Sequence, residues 1–239
     1  MIDVTIIPTL KDNYTYLLKS ADGRTAIIDP GEAGPVIEEL ERQKLSLDYI
    51  LNTHHHADHI AGNGALIEKF DAKLVGPSKE SIRIPSMDIT LSEDDVFTLG
   101  GEDVQILETP GHTTGHICFY FPRSKMVFTG DALFLMSTGR LFEGTPEDLW
   151  ITLQKLMALP DDTKIYCGHE YTLSNGEFCL GIEPDNQELQ SRMKEVRKAR
   201  EQNQSTMPST VALEKKTNVF VRADSIERLA EIRRLKDES

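Results

Sequence analysis

Residues 51–60 read LNTHHHADHI, with four histidines and one aspartate between His54 and His59, directly behind the apolar run LDYIL. In an extended segment, residues two apart face the same way, so His54 and His56 can share one ion while His55 points elsewhere. Asp58 and His59 fall where the chain turns toward the helical pattern IAGNGALIEKF, which redirects them to a second point nearby. A histidine-rich surface loop that binds metal only by accident has the same local composition, so the rest of the chain must decide.

The remaining histidines are His112, His116 and His169, and none follows. VQILE leads into TPGH at His112, and KIYC leads into GH at His169. A further apolar run, KMVF, leads into TGD at Asp131. Four strand-like runs therefore each release a potential ligand just past their C-terminal ends, the edge where α/β proteins gather their sites. Taken singly, His116 reads as an interior or ligand-orienting residue and Asp131 as a turn residue. Four segments with the same placement favour a metal centre. Imidazoles with carboxylates, and no cysteine placed as a ligand, suit zinc, iron or manganese. Five imidazoles and two carboxylates are too many for one tetrahedral ion and fit two ions sharing a carboxylate.

Around these segments the pattern is α/β. VTIIPTL, YTYLLKS and RTAIIDPG alternate with turns, and PVIEELERQ has helical spacing. GTPEDLWITLQKLMAL starts with Thr145 as N-cap, Pro146 at the first helical position and Asp148 in the first turn. Beyond Tyr171 strand signals nearly stop. NQELQSRMKEVRKAREQNQ and DSIERLAEIRRLKD are helical, the second with Asp224 and Glu227 in capping-box spacing, and NVFVRA reads as a short extended connector. The expected organisation is a domain over 1–170 and a smaller helical domain over 171–239.

The net charge of −13 disfavours a nucleic-acid partner. It is uneven: residues 191–239 sum to +4 and the first 190 to −17. Three cysteines with no CxxC pair argue for buried reduced thiols. No apolar stretch approaches the ~20 residues of a membrane helix, and the N-terminus lacks a signal-peptide pattern. A reducing cytoplasm and a monomer are the expectation.

THHHADH at 53–59, PGHTTGH at 110–116, TGD at 129–131 and CGH at 167–169 together resemble the metallo-β-lactamase superfamily. The resemblance implies a four-layer αβ/βα sandwich carrying two divalent ions, Zn2+ foremost, with Fe or Mn as substitutes. It places His54, His56 and His112 on one ion and Asp58, His59 and His169 on the other, with Asp131 shared. Asp58, His59 and Asp131 would serve catalysis most directly, Asp58 by ligating and orienting the attacking solvent. Lactamase activity is not expected, because the position where penicillin-hydrolysing relatives often carry a cysteine is filled by other ligands. GRLFEGT at 139–145, GHEYTLSN at 168–175, NVFVR at 218–222 and IRRLKD at 232–237 narrow the likeness to the hydroxyacylglutathione hydrolase (glyoxalase II) family. That implies hydrolysis of a glutathione thioester such as S-D-lactoylglutathione to glutathione and D-lactate, the second step of methylglyoxal detoxification. Arg140, Phe142, Tyr171, Asn175, Arg233 and Lys236 would contact the tripeptide. Leu135, Met136 and Thr138 stand where that family often has smaller residues, and are expected to narrow the acyl pocket. The competing readings are a glutathione persulfide dioxygenase with a single iron, a nuclease, and a non-catalytic metal-binding module.

Overall fold

In the computed structural model, which describes residues 2–239, the chain divides into two compact units. One comprises 2–108 with Gly115–Met126, the other Thr109–Thr114 with Val127–Ser239.

The first unit opens with antiparallel β1 (Ile2–Thr9), β2 (Asn13–Ser20) and β3 (Thr25–Ile28). Next come α1 (Gly34–Gln43), β4 (Tyr49–Leu51), α2 (Ala57–Ile60), α3 (Asn63–Phe70), β5 (Lys73–Pro77) and β6 (Ile89–Leu91). Strands β3 to β6 pair in parallel, giving a six-stranded sheet in simple chain order. Parallel strands covered by helices must be apolar along their length, which is why AII, YIL and LVGP read as continuous runs. Ile27, Ile50 and Leu74 sit side by side in register. Val36 and Leu40 of α1, one helical turn apart, and Leu66 of α3 pack onto that row. Each such side chain contributes about 1.5–3 kcal/mol on burial. Antiparallel β7 (Val96–Leu99), β8 (Glu102–Glu108) and β9 (Ile117–Phe121) complete this unit.

The second unit contains β10 (Met126–Gly130), the two-strand hairpin β11 (Leu133–Phe134) and β12 (Ser137–Thr138), α4 (Pro146–Met157) and β13 (Lys164–Cys167). Helices α5 (Thr172–Ile182) and α6 (Gln187–Glu201), strand β14 (Ser209–Thr210), then α7 (Val211–Thr217) and α8 (Ile226–Asp237) follow. β10 neighbours β13, which pairs antiparallel with β14. The start of α4 forms as its sequence dictates: Thr145 Oγ1 accepts from the Asp148 N–H and Asp148 Oδ2 accepts from the Thr145 N–H. Two local expectations are corrected. Helix α8 is capped by Ser225, whose hydroxyl accepts from the Arg228 N–H, and not by Asp224. Residues 219–222 are a turn and not an extended connector, because Asn218 Oδ1 captures the Phe220 N–H and the Arg222 N–H returns to the Asn218 carbonyl. All three cysteines are buried thiols. Burial pushes the Cys167 thiol far up and that of Cys179 to about 12, which leaves both inert as nucleophiles. Among the described residues no helix is long and apolar enough to cross a membrane.

Candidate metal centre and adjoining cleft

In the first unit the parallel pairing of β3 and β4 sets two strand exits side by side. The Asp29 N–H donates to the Leu51 carbonyl, and Thr53 lies just past the end of β4. Asp29 then acts as an organiser. Its Oδ1 accepts from the Thr53 N–H at 2.8 Å, and its Oδ2 accepts from Thr53 Oγ1 at 2.7 Å and from His59 Nδ1 at 3.1 Å. Thr53 Oγ1, with its single proton committed to Asp29, can only accept from His54 Nδ1, 2.9 Å away. Both His54 and His59 are thereby held as Nδ1–H tautomers, and each presents an Nε2 lone pair, the form a metal requires. The ligand atoms of Asp29, His54 and His59 all lie within 4.8 Å of one another.

The short helix α2 starts with His56 still extended, so the chain turns between His56 and Asp58. Asp58 is fixed by Asn13, whose amide donates to its carbonyl and to its Oδ2 at 2.9 Å. His59 Nε2 stands 3.5 Å from Asp58 Oδ2. The His54 and His56 rings lie 4.8 Å apart. His55 turns away to Glu80, whose fully buried carboxylate accepts from its Nδ1–H. His116 stacks on His54 with ring centroids 5.0 Å apart, an orienting contact.

In the second unit, β10 and β13 end together, the Gly168 N–H donating to the Gly130 carbonyl, so Asp131 and His169 emerge as neighbours. Asp131 Oδ2 lies 3.4 Å from His112 Nε2 and 3.4 Å from His169 Nε2. His112 Nδ1 donates to the Arg140 carbonyl at 2.9 Å, so its Nε2 faces the carboxylate oxygen as a lone pair. Two acceptors aimed at each other repel unless a cation lies between them or the ring gains a second proton. One carboxylate oxygen equidistant from two imidazole nitrogens is the arrangement a shared ligand requires, and the donors present fit divalent ions of the zinc, iron or manganese type. Gly139 permits this closeness, because a Cβ there would lie 1.9 Å from the Asp131 carbonyl oxygen and 3.0 Å from His112 Nδ1. The His169 ring is held by Tyr171, stacked 4.7 Å away at 6°, and by the edge of Phe134.

Beside Asp131 opens a cleft of about 260 Å³ that takes in every residue expected to contact a tripeptide: Arg140, Phe142, Tyr171, Asn175, Arg233 and Lys236. These six differ in freedom. Phe142 and Arg140 are exposed, whereas Asn175 donates to the Leu135 carbonyl and is buried. Arg233 is also buried, with Nη1 committed to Thr138 and its guanidinium over the Phe220 ring. Burial holds Lys236 below its usual value, and nearby Arg233 lowers it further. Arg140, Arg233 and Lys236 give the wall three cationic side chains. Of the bulky residues expected to narrow the acyl pocket, only Thr138 lines the cleft. Leu135 and Met136 turn the other way, and Met136 packs with Met193 against Gly176, where a Cβ would come within 2.7 Å of Met136 Cε.

Asp29, Thr53 and Asn13 were not among the residues singled out from the sequence. Asp29 carries the same signal as the ligands, since AIID is an apolar run ending in a carboxylate, but no histidine draws the eye to it. Asp29→Asn is expected to weaken metal retention about 10- to 100-fold, the usual cost of losing a ligand-orienting carboxylate. Chelator competition measures this; retention equal to the parent protein would remove Asp29 from the role.

The metallo-β-lactamase superfamily model matches residues 8–169, and the model of the hydroxyacylglutathione hydrolase C-terminus matches 170–239. A hydroxyacylglutathione hydrolase from Ruegeria pomeroyi is 47% identical over 93% of this chain and 88% of its own length. Another from Pelagibacter ubique is 44% identical over 99% of both chains. Among solved structures, ETHE1 from Myxococcus xanthus superposes with a TM-score of 0.75 at 26% identity, covering 98% of this chain and 90% of its own. The chain belongs to the metallo-β-lactamase superfamily and, within it, to the hydroxyacylglutathione hydrolase family. Its fold is the metallo-β-lactamase fold with a helical C-terminal region, and the protein is an enzyme of the thioester-hydrolase class.

Proposed function

We propose that the protein hydrolyses S-(2-hydroxyacyl)glutathione, S-D-lactoylglutathione foremost, to glutathione and a 2-hydroxy acid, the second step of methylglyoxal detoxification. The observation that carries this reading is the cleft itself, in which Asp131 with His112 stands against a wall of Arg140, Arg233 and Lys236. A glutathione thioester needs both, a hydrolytic centre for the acyl bond and cations for the two tripeptide carboxylates.

The proposed metal ligands are His54, His56 and His112 for one ion and Asp58, His59 and His169 for the other, with Asp131 shared. When bound, such ions, Zn2+ foremost, supply ionised water near neutral pH and polarise the thioester carbonyl. The chain's own part is to hold the parts in place. Asp29 fixes the tautomers of His54 and His59, and Asn13 fixes Asp58. Tyr171 and Phe142 offer aromatic surface to the tripeptide, while Arg140 and Lys236 attract its carboxylates. A thiolate leaves without strong acid assistance, so no proton donor is required in the cleft. Residues 1–170 would then form the catalytic domain and 171–239 the glutathione-binding domain of a cytoplasmic monomer acting on a small molecule, without nucleic acid or membrane.

Elemental analysis beside an S-D-lactoylglutathione assay tests this directly. Two divalent ions per chain, hydrolysis abolished by chelation, and recovery on adding Zn2+ are expected. A single iron per chain, with oxygen consumed on glutathione persulfide and no thioester cleaved, would overturn it.

A further inference from the structure

Asp237 is the last residue of α8, where the helix dipole disfavours a carboxylate. A residue that breaks a local rule calls for a compensating interaction, and here there are two. Asp237 Oδ1 accepts from Arg233 Nη2 at 2.8 Å and from Arg140 Nε at 3.2 Å. Arg140 comes from the segment after β12, 97 positions away in sequence, and its side chain is 56% exposed. Arg233 is almost completely buried and already tied to Thr138, so it is a rigid mount. Asp237 thus links a mobile type of side chain to a fixed one by a single oxygen.

The edge of Arg140 that is used matters. Asp237 takes Nε, which leaves the two terminal amino groups as the fork that matches a carboxylate in bidentate fashion. An exposed arginine otherwise loses rotamer freedom on being immobilised by a ligand. An anchor that has already ordered the side chain removes part of that cost. The carboxylate also separates two guanidiniums that repel each other, as the downward effect of Arg140 on Arg233 records.

We propose that Asp237 is a positioning residue for substrate recognition, holding Arg140 by its Nε edge so that the terminal amino groups receive a carboxylate of the glutathione moiety. The inference rests on the reading of the cleft as a glutathione site and adds a residue to it. The opposite role, a resident anion competing with the substrate for Arg140, predicts a change of opposite sign.

The test uses the metal-loaded enzyme and four forms: the parent, Asp237→Asn, Arg140→Ala and the double replacement. KM and kcat are measured with S-D-lactoylglutathione and with a thioester lacking the tripeptide, and the Kd for glutathione by calorimetry. For Asp237→Asn a rise of about threefold to fivefold in KM and in Kd, the scale of one half-exposed ion pair, is expected with kcat unchanged. The non-glutathione thioester should be unaffected, Asp237→Glu should restore part of the loss, and Asp237→Asn should add nothing once Arg140 is alanine. A fall in KM, or an equal loss in the Arg140→Ala background, overturns the proposal. If Arg140→Ala itself leaves glutathione binding unchanged, the failure lies in the assignment of Arg140 to glutathione and the anchoring role falls with it.

Discussion

Replacing Asp131 by alanine is expected to reduce thioester hydrolysis by about a thousandfold, ~4 kcal/mol of transition-state stabilisation, and to lower bound metal from two ions per chain to at most one. Asp131 Oδ2 stands 3.4 Å from both His112 Nε2 and His169 Nε2, the placement a common ligand needs. Asp131→Asn sharpens the test. The amide keeps the shape and one acceptor oxygen but carries no charge, so it cannot balance two cations. Both variants are expected to keep the parent fold by circular dichroism, since the surrounding turn is held by Thr129, which donates to the Leu133 carbonyl. Full turnover with a single ion bound would sink the dinuclear reading, whereas full turnover with two ions would show that Asp131 is not the shared ligand.

The histidine-bearing segments were legible in the sequence because their signal combines two independent features, an apolar strand and a ligand immediately after it. β4 ends at Leu51 before His54, β8 at Glu108 before His112, β10 at Gly130 before Asp131 and β13 at Cys167 before His169, the four exits the apolar runs indicate. Asp29 follows β3 in the same manner, but a lone carboxylate in DPG reads equally well as a turn. Its role becomes visible only when parallel pairing puts it beside Thr53. The helical region was less legible. Its helices α6 and α8 have clear periods, but β14 is two residues long and depends on β13 for its pairing, which is tertiary information. The turn at 219–222 likewise hides in NVFVR, whose β-branched residues suggest extension until Asn218 captures the backbone. The orientation of Leu135 and Met136 could not be read from bulk alone, since they form the turn between β11 and β12, with Met136 at φ 59°, and turn residues follow no strand alternation.

That hairpin leads to the second large effect, expected on stability. Glu214 is fully buried, and its four partners come from four places in the chain. Oε1 accepts from Arg192 Nη2 and from Ser209 Oγ, and Oε2 from the Met136 N–H at 2.9 Å and Asn218 Nδ2 at 3.1 Å. Arg192 is buried as well, with its remaining donors on Thr217 and Ser209. Met136 has φ 59°, a conformation that costs a non-glycine residue about 1–2 kcal/mol, and the Glu214 carboxylate is what its N–H meets. Glu214→Ala should therefore destabilise the protein by about 3–5 kcal/mol, because it strands a buried guanidinium. At about 2–4 °C per kcal/mol for a chain of this size, the melting temperature should fall by roughly 10 °C. The double replacement Arg192→Met with Glu214→Leu removes both charges together and should recover most of that loss. It should not recover activity in full, because the Met136 N–H still has no acceptor and the hairpin that carries Phe134, Ser137 and Thr138 to the cleft is no longer clamped. A KM for the glutathione thioester that stays raised while the melting temperature returns is the expected signature. Melting of Glu214→Ala within a degree of the parent would show that the ion pair contributes nothing. Recovery of stability and KM together would show that Glu214 serves only the fold.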